Sequence, residues 1–126
     1  MTLTPEDAEA FWSYLRLWQN KLGLAGWRIT RSPKAAKGSM AEMDKFDWRQ
    51  QQVLCRLGLD WKSSPVTPVT LEQTAVHELL HVLLHPLIEV AKTPGVDELS
   101  IAAAEHTVIN TLEGLLVPIK DQDASS

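Results

Sequence analysis

The chain has 126 residues, of which 44% are hydrophobic and 22% are charged, and its formal net charge is −4. These proportions are typical of a single soluble globular domain, which we expect to span residues 1–120, with residues 121–126 as a polar C-terminal tail. The single cysteine, Cys55, excludes an intrachain disulfide and a zinc cluster built on cysteines.

The distribution of apolar and charged residues restricts the expected location and partners. No apolar run approaches the roughly 18 residues of a membrane helix, and the first residues lack the basic and apolar regions of a signal peptide. We therefore expect a cytoplasmic protein without a membrane partner. Up to Lys62 there are ten Lys and Arg against seven Asp and Glu, and after it two against nine. Because the basic excess is scattered, the sequence does not predict nucleic-acid binding.

The first half of the chain predicts a helix followed by three strands. Thr4 and Pro5 are typical of a helix start, and Gly23 follows the last apolar residue at helical spacing. A period of two predicts a strand over residues 27–31, and a weaker pattern predicts another over 39–44 with a turn at 46–49. Residues 51–60 alternate most clearly, and this strand holds Cys55 as a small buried hydrophobic residue, not a nucleophile.

The second half predicts two helices. One is expected over residues 70–84, beginning with a capping box at 70–73. Pro86 is expected to end or kink this helix after His85, because proline removes a donor and clashes with the preceding turn. The last helix is expected to be capped by Asp97 and to run to about Leu116, before Pro118. The element order of helix, three strands, helix and helix predicts an α+β fold.

The predicted helix over 70–84 carries a polar edge. His77 and His81 lie about 40° apart on a helical wheel, and Glu78 lies about 60° beyond His81. Apolar side chains fill the other side and must be buried: Ala75, Val76, Leu79, Leu80, Val82 and Leu83. The spacing of the two histidines allows both imidazoles to reach one metal ion.

This arrangement predicts a catalytic zinc (Zn²⁺) site. Imidazole nitrogens bind zinc at roughly 2.0–2.1 Å, and a catalytic site keeps one position for water. Glu78 is placed to accept a proton from that water, which is the mechanism of zincin peptidases. His85 lies about 12 Å along the axis from His77, too far to share the ion, so we expect it to line the cleft or to face solvent.

The third ligand is expected on the last helix, where Glu105 and His106 are adjacent candidates. On the wheel, Glu105 falls inside the apolar stripe, whereas His106 falls at its margin near Asn110 and Glu113. A carboxylate inside an apolar stripe is costly unless it is paired or bound to metal. We therefore predict Glu105 as the third ligand, and His106 in its place would make a site of three histidines.

The motif at residues 77–81, with an acid on the following helix, resembles the minimal gluzincin metallopeptidases, such as the ImmA/IrrE-type and SprT-like groups of bacteria and phages. The run from Asn110 to Pro118 also resembles the ImmA/IrrE-type ending. The resemblance implies a zincin-like fold with a small, mostly antiparallel three-stranded sheet. It implies zinc on His77 and His81, a general base at Glu78 and a downstream third ligand. It further implies that an edge strand binds the peptide substrate.

The chain departs from these families in lacking an obvious oxyanion donor, because its only tyrosine, Tyr14, lies in the predicted first helix. A zinc deaminase is excluded by the single cysteine. Small zinc endoribonucleases carry glycine after their first histidine, and Glu78 argues against them. The sequence thus predicts a zinc metallopeptidase, expected to be an endopeptidase acting on a protein or peptide. It leaves open a catalytically inactive, zinc-stabilised binding module of phage or bacterial origin, and it does not predict the substrate or the oligomeric state.

Overall fold

The computed structural model describes residues 1–47, 49–92 and 97–117. The elements in chain order are α1 (Pro5–Lys21), β1 (Arg28–Arg31), β2 (Ala41–Asp47), β3 (Gln52–Leu57), α2 (Pro68–Ala91) and α3 (Glu98–Leu116). The predicted α+β fold and its element order are confirmed. Residues 118–126 lie outside the described part of the chain, and with them the predicted C-terminal tail and the end of the predicted domain.

Helix α1 begins and ends as its sequence predicts. The Thr4 hydroxyl accepts a hydrogen bond from the backbone N–H of Asp7, and the Asp7 carboxylate accepts one from the Thr4 N–H. This capping box satisfies two of the backbone donors that a helix leaves free at its start. Gly23 follows the helix with a φ of 73°, in the left-handed region where glycine pays no steric cost.

The sheet is mixed, with strand order β1-β3-β2. Strand β3 lies in the centre, antiparallel to β2 and parallel to β1. Along the chain, β1 and β2 come first and lie at the two edges of the sheet, and β3 then runs between them. The antiparallel part of the predicted sheet is therefore the β2–β3 pair, and β1 joins it in parallel.

The boundaries of β2 and β3 differ from those predicted. Phe46 and Asp47, predicted as part of a turn, belong to β2, and the turn lies at residues 49–51. The pairing shifts between Asp44 and Asp47, and Lys45 has a φ of 53°. A bulge of this kind breaks the period of two, which explains why the alternation in the sequence stopped short of the true strand end.

The main core lies between α1, the sheet and α2. Phe11, Cys55, Leu79 and Val82 are fully buried in it. Cys55 is thus a buried hydrophobic residue as predicted, and burial also raises the pKa of its thiol, which disfavours the reactive thiolate. A second cluster, in which Ile109 of α3 packs with Val76 and Leu80 of α2, fixes α3 against the other side of α2.

Helix α2 is longer at both ends than predicted. Its N-cap is Thr67, followed by Pro68 at the first helical position, so the predicted capping box at 70–73 is wrong. Thr70 is instead the reciprocal partner of Thr67. Of the two predicted effects of Pro86, the end of the helix is wrong, because the helix continues to Ala91, and the kink stays a prediction. Next to Pro86, the ring of His85 stacks on Phe46 and Leu84 packs against the second cluster. These contacts offset the loss of the backbone hydrogen bond that proline cannot donate. None of the described helices is long and apolar enough to cross a membrane.

Candidate metal centre

The predicted polar edge of α2 lies between the side of the helix that packs in the main core and the side that packs against α3. The side chains of His77 and His81 are 23% and 18% exposed, so each ring is held by its surroundings while remaining accessible. Glu78 is almost fully buried, with 5% of its surface exposed. The edge exists because Leu79 and Val82 anchor α2 in the main core while Leu80 anchors it against α3.

Helix α3 adds a third imidazole to this edge. Each of His77, His81 and His106 offers one ring nitrogen, and these three atoms lie within 4.8 Å of one another. The ring centroid of His106 lies 4.9 Å from that of His81 and 6.0 Å from that of His77. The structure therefore brings together the two predicted histidines of α2 and the histidine that the sequence offered as the alternative third ligand.

Glu105, the predicted third ligand, lies beside His81 and outside the cluster of three ring nitrogens. Its Oε2 atom lies 3.3 Å from Nδ1 of His81, and its side chain is 13% exposed. Among the described residues, the three ligand atoms that lie within 4.8 Å of one another do not include a carboxylate oxygen of Glu105. The carboxylate is therefore paired rather than isolated in the apolar interface, and pairing offsets the cost of burying its charge.

The Nδ1 atom of each of the three histidines faces an acceptor. Nδ1 of His77 lies 3.5 Å from Glu113 Oε1, and Nδ1 of His106 lies 3.0 Å from the carbonyl oxygen of Ala102. A neutral imidazole carries its proton on one nitrogen and a lone pair on the other. With the protons on Nδ1, all three Nε2 lone pairs are free to act as ligands. Three neutral imidazoles are a donor set that suits zinc with one position left open, so the residues fit this metal.

Neighbouring carboxylates raise the pKa values of His77 and His81, and burial lowers them. Contact with Glu113 raises the pKa of His77, and burial partly opposes this. Burial lowers the pKa of His81, and Glu105 opposes that change. The neutral imidazole, which is the form that binds metal, is therefore favoured at His81 and disfavoured at His77.

Glu78 is the most perturbed carboxyl group of the centre. Burial, reinforced by the negative charges of Glu42 and Glu113, raises its pKa to about 8, although the charge of His77 opposes the shift. A hydrogen bond from the backbone N–H of Met43 in β2 also favours the ionised form. In the metal-free chain this pKa leaves the carboxyl group largely protonated at neutral pH, and a shift of this size in a cleft is typical of a functional group.

This shift predicts how the metal-free protein responds to pH. Because the folded-state pKa of Glu78 is raised, protonation of this group favours folding below its unfolded pKa of about 4.5, and that contribution is lost as pH rises to about 8. We expect Glu78→Gln to be more stable than wild type at pH 8 by roughly 3–5 kcal/mol, and nearly equal to it at pH 4.5. Urea unfolding of both proteins in chelator measures the difference.

Glu72→Gln is the matched control for that experiment. Glu72 lies on the same helix and accepts a hydrogen bond of 2.8 Å from Trp18 Nε1, which glutamine can also accept. This control should not reproduce the gain at pH 8. Equal stability of Glu78→Gln and wild type across the pH range would contradict the raised pKa.

The centre opens into a cleft of about 780 Å³. His77, Glu78, His81 and His106 line it together with a wall formed by β2 and the segment 60–64. Among the described strands β2 pairs only with β3, so β2 is an edge strand. Its cleft-lining residues are Ala41, Glu42, Met43 and Phe46. The sequence could not identify this strand, because strand order depends on pairing across the whole sheet.

His85 is placed differently from its prediction. Its ring stacks on Phe46, with centroids 4.1 Å apart and planes 7° apart, and its Nε2 lies 3.4 Å from Glu89 Oε1. It does not join the three-histidine group. His85 therefore packs α2 against β2, and its expected place on the cleft wall or in solvent was wrong.

Two residues for which the sequence predicted no role lie at the cleft. Asn110 and Glu113 line it together with His106. The three positions are spaced by four and three residues, so they share one face of α3. This polar stripe beside the apolar one is the signal that could have found them. Tyr14 packs against the main core, as expected for a residue of α1.

No protein-family model, curated protein or solved structure matches the chain.

Proposed function

We propose that this chain is a zinc-dependent metallopeptidase that hydrolyses peptide bonds of a protein substrate. In this proposal His77, His81 and His106 hold the metal, and Glu78 is the general base. His106 replaces Glu105, the ligand predicted from the sequence. The observation that carries the proposal is the buried carboxyl group of Glu78 beside three clustered imidazoles, all lining one open cleft.

The donor set and its surroundings support zinc as the cofactor. Bound zinc supplies a Lewis acid that polarises the scissile carbonyl and lowers the pKa of water. The three histidines would contribute neutral nitrogen ligands, and their Nδ1 atoms lie beside Glu113, Glu105 and the Ala102 carbonyl oxygen.

Glu78 moves the protons of the reaction. Its carboxylate takes a proton from the attacking water as the water oxygen bonds to the carbonyl carbon of the substrate. The same group then gives that proton to the amide nitrogen as the C–N bond breaks, which releases a carboxylic acid and an amine. This role needs the ionised carboxylate, which the positive charge of bound zinc nearby would favour by lowering the pKa of Glu78 below its value of about 8 in the metal-free chain.

Strand β2 supports an extended peptide as the substrate. An edge strand offers free backbone groups, to which a peptide can add as a further strand. Met43 and Phe46 of β2 both line the cleft that contains Glu78. A peptide lying along β2 would therefore pass the general base with its backbone extended. This supports hydrolysis within a chain more than removal of a terminal residue.

A proteome digest tests the proposal. The zinc-loaded chain, incubated with unfolded cell protein, should generate new N-termini that disappear with a chelator and return with added zinc. Circular dichroism of the chelated sample checks that the chain remains folded, because metal removal can unfold a protein whose site supports its fold. New termini that do not depend on metal, or none under any condition, would contradict the proposal and favour the binding module.

A further inference from the structure

Two glutamates of α3 lie on the Nδ1 side of the histidines of α2. Glu113 Oε1 is 3.5 Å from His77 Nδ1, and Glu105 Oε2 is 3.3 Å from His81 Nδ1. Their side chains are 23% and 13% exposed, so both contacts are largely shielded from solvent. The charge of a carboxylate in such a place is screened less by water and salt than that of one on the surface.

The two glutamate–histidine contacts reflect the relative direction of α2 and α3. The later glutamate contacts the earlier histidine and the earlier glutamate contacts the later one, so α2 and α3 run antiparallel at the centre. His106 enters the group from the same helix as both carboxylates. Ile109, fully buried between the two glutamates in sequence, fixes α3 against α2. One packed interface therefore sets a ligand and two carboxylates together.

We propose that Glu105 and Glu113 are positioning residues of the metal centre, each acting through one histidine. Each carboxylate accepts the Nδ1 proton of its partner and so holds the Nε2 lone pair toward the shared metal position. The inference rests on the zinc site of the proposed function. It assigns to Glu105 an indirect role, through His81, in place of direct ligation, and it gives Glu113 a role through His77.

Carboxylates in this position strengthen metal binding in two ways. They fix the tautomer and the ring orientation, and they make the ligating nitrogen more basic. Loss of such a partner typically weakens metal affinity by about 10–100-fold. Glutamine retains an oxygen that can accept the Nδ1 proton but lacks the charge, so it should fall between glutamate and alanine.

The chain contains a matched control pair. Glu89 Oε1 lies 3.4 Å from His85 Nε2, a contact of the same kind and on the same helix as the two histidine ligands. His85 is outside the three-histidine group. Glu89→Gln and Glu89→Ala should therefore leave zinc affinity unchanged while removing an equivalent carboxylate.

Zinc competition with a chromophoric chelator tests the proposal on the full chain. We expect about 10–100-fold weaker binding for Glu105→Ala and Glu113→Ala, with the glutamine variants intermediate. The Glu105 change should have little further effect once His81 is alanine, and the Glu113 change little further effect once His77 is alanine. The crossed combinations should be additive, because each carboxylate acts through its own histidine.

The visible spectrum of the cobalt(II)-substituted protein separates positioning from ligation. A positioning residue should leave the coordination number unchanged in its alanine variant, while loss of a ligand should change the spectrum. Glu105→Ala as damaging as His81→Ala, with an altered spectrum, would overturn the proposal and make Glu105 a ligand. Wild-type affinity in both alanine variants would overturn it while leaving the zinc site intact, whereas a wild type that binds no zinc would overturn the proposed function as well. The glutamine variants keep the side-chain size and provide the comparison if an alanine variant does not fold.

Discussion

Glu78→Gln should keep its zinc and its fold while hydrolysing protein about 10²–10⁴-fold more slowly than wild type. Glutamine matches glutamate in shape and can still accept the backbone hydrogen bond from Met43, so the packing around position 78 is preserved. It cannot take up the proton of the attacking water. The loss should therefore appear in the rate of bond cleavage and not in the zinc content.

The measurement is the initial rate of appearance of one new terminus, with zinc content determined on the same samples. Glu72→Gln serves again as the control, since it changes a carboxylate of α2 that contacts Trp18 and not the cleft-lining histidines. Equal cleavage by wild type and Glu78→Gln would contradict the assignment of Glu78 as general base. Loss of zinc from Glu78→Gln would instead indicate that the Glu78 carboxylate is a ligand of the metal.

Alanine at His77, His81 or His106 should remove most of the bound zinc. Each variant loses a ligand, so the affinity should fall by more than the roughly 10–100-fold that the loss of an outer carboxylate costs. Wild-type binding should itself weaken as pH falls, and the loss should begin above the free imidazole pKa of about 6.5, because Glu113 raises the pKa of His77.

His85→Ala is the control for the ligand variants, because His85 stacks on Phe46 outside the group. Metal analysis after dialysis should show about one zinc per chain in this control and in wild type. Full zinc content in His106→Ala, together with loss in Glu105→Ala, would return the third ligand to the residue predicted from the sequence.

The part of the centre on α2 was predictable because it is local. A spacing of four residues puts His77 and His81 on one side of any helix, whatever the rest of the chain does. The apolar residues around them then determine which side is buried. Leu79, Leu80 and Val82 are buried as the pattern required, although Leu83 at the edge of that face is 41% exposed.

The position of His106 was harder to predict because it depends on the rotation of α3. Val108, Ile109 and Leu116 all belong to the apolar stripe of α3, but Ile109 is fully buried while Val108 and Leu116 are 47% and 36% exposed. The buried face is therefore narrower than the stripe. Glu105 lies within it as expected, yet it contacts His81 rather than joining the three clustered nitrogens. A pattern can predict burial of a carboxylate without identifying its partner.

The cleft depended on contacts that no local pattern contains. Its edge strand could be identified only from the strand order, which places β3 between β1 and β2. The start of α2 was also misplaced. The capping box was predicted at residues 70–73, whereas Thr67 is the N-cap, Pro68 is the first helical residue and Thr70 is the reciprocal partner of Thr67.

X-ray absorption at the zinc edge of the wild-type protein tests the proposed centre most directly. The three-histidine site predicts three imidazole nitrogens at roughly 2.0–2.1 Å and one further light ligand, with the outer-ring scattering that imidazoles produce. The spectrum of His106→Ala should lose one imidazole, and that of Glu105→Ala should keep all three. Two imidazoles with a carboxylate in wild type, or a protein that binds no zinc, would contradict the proposed site.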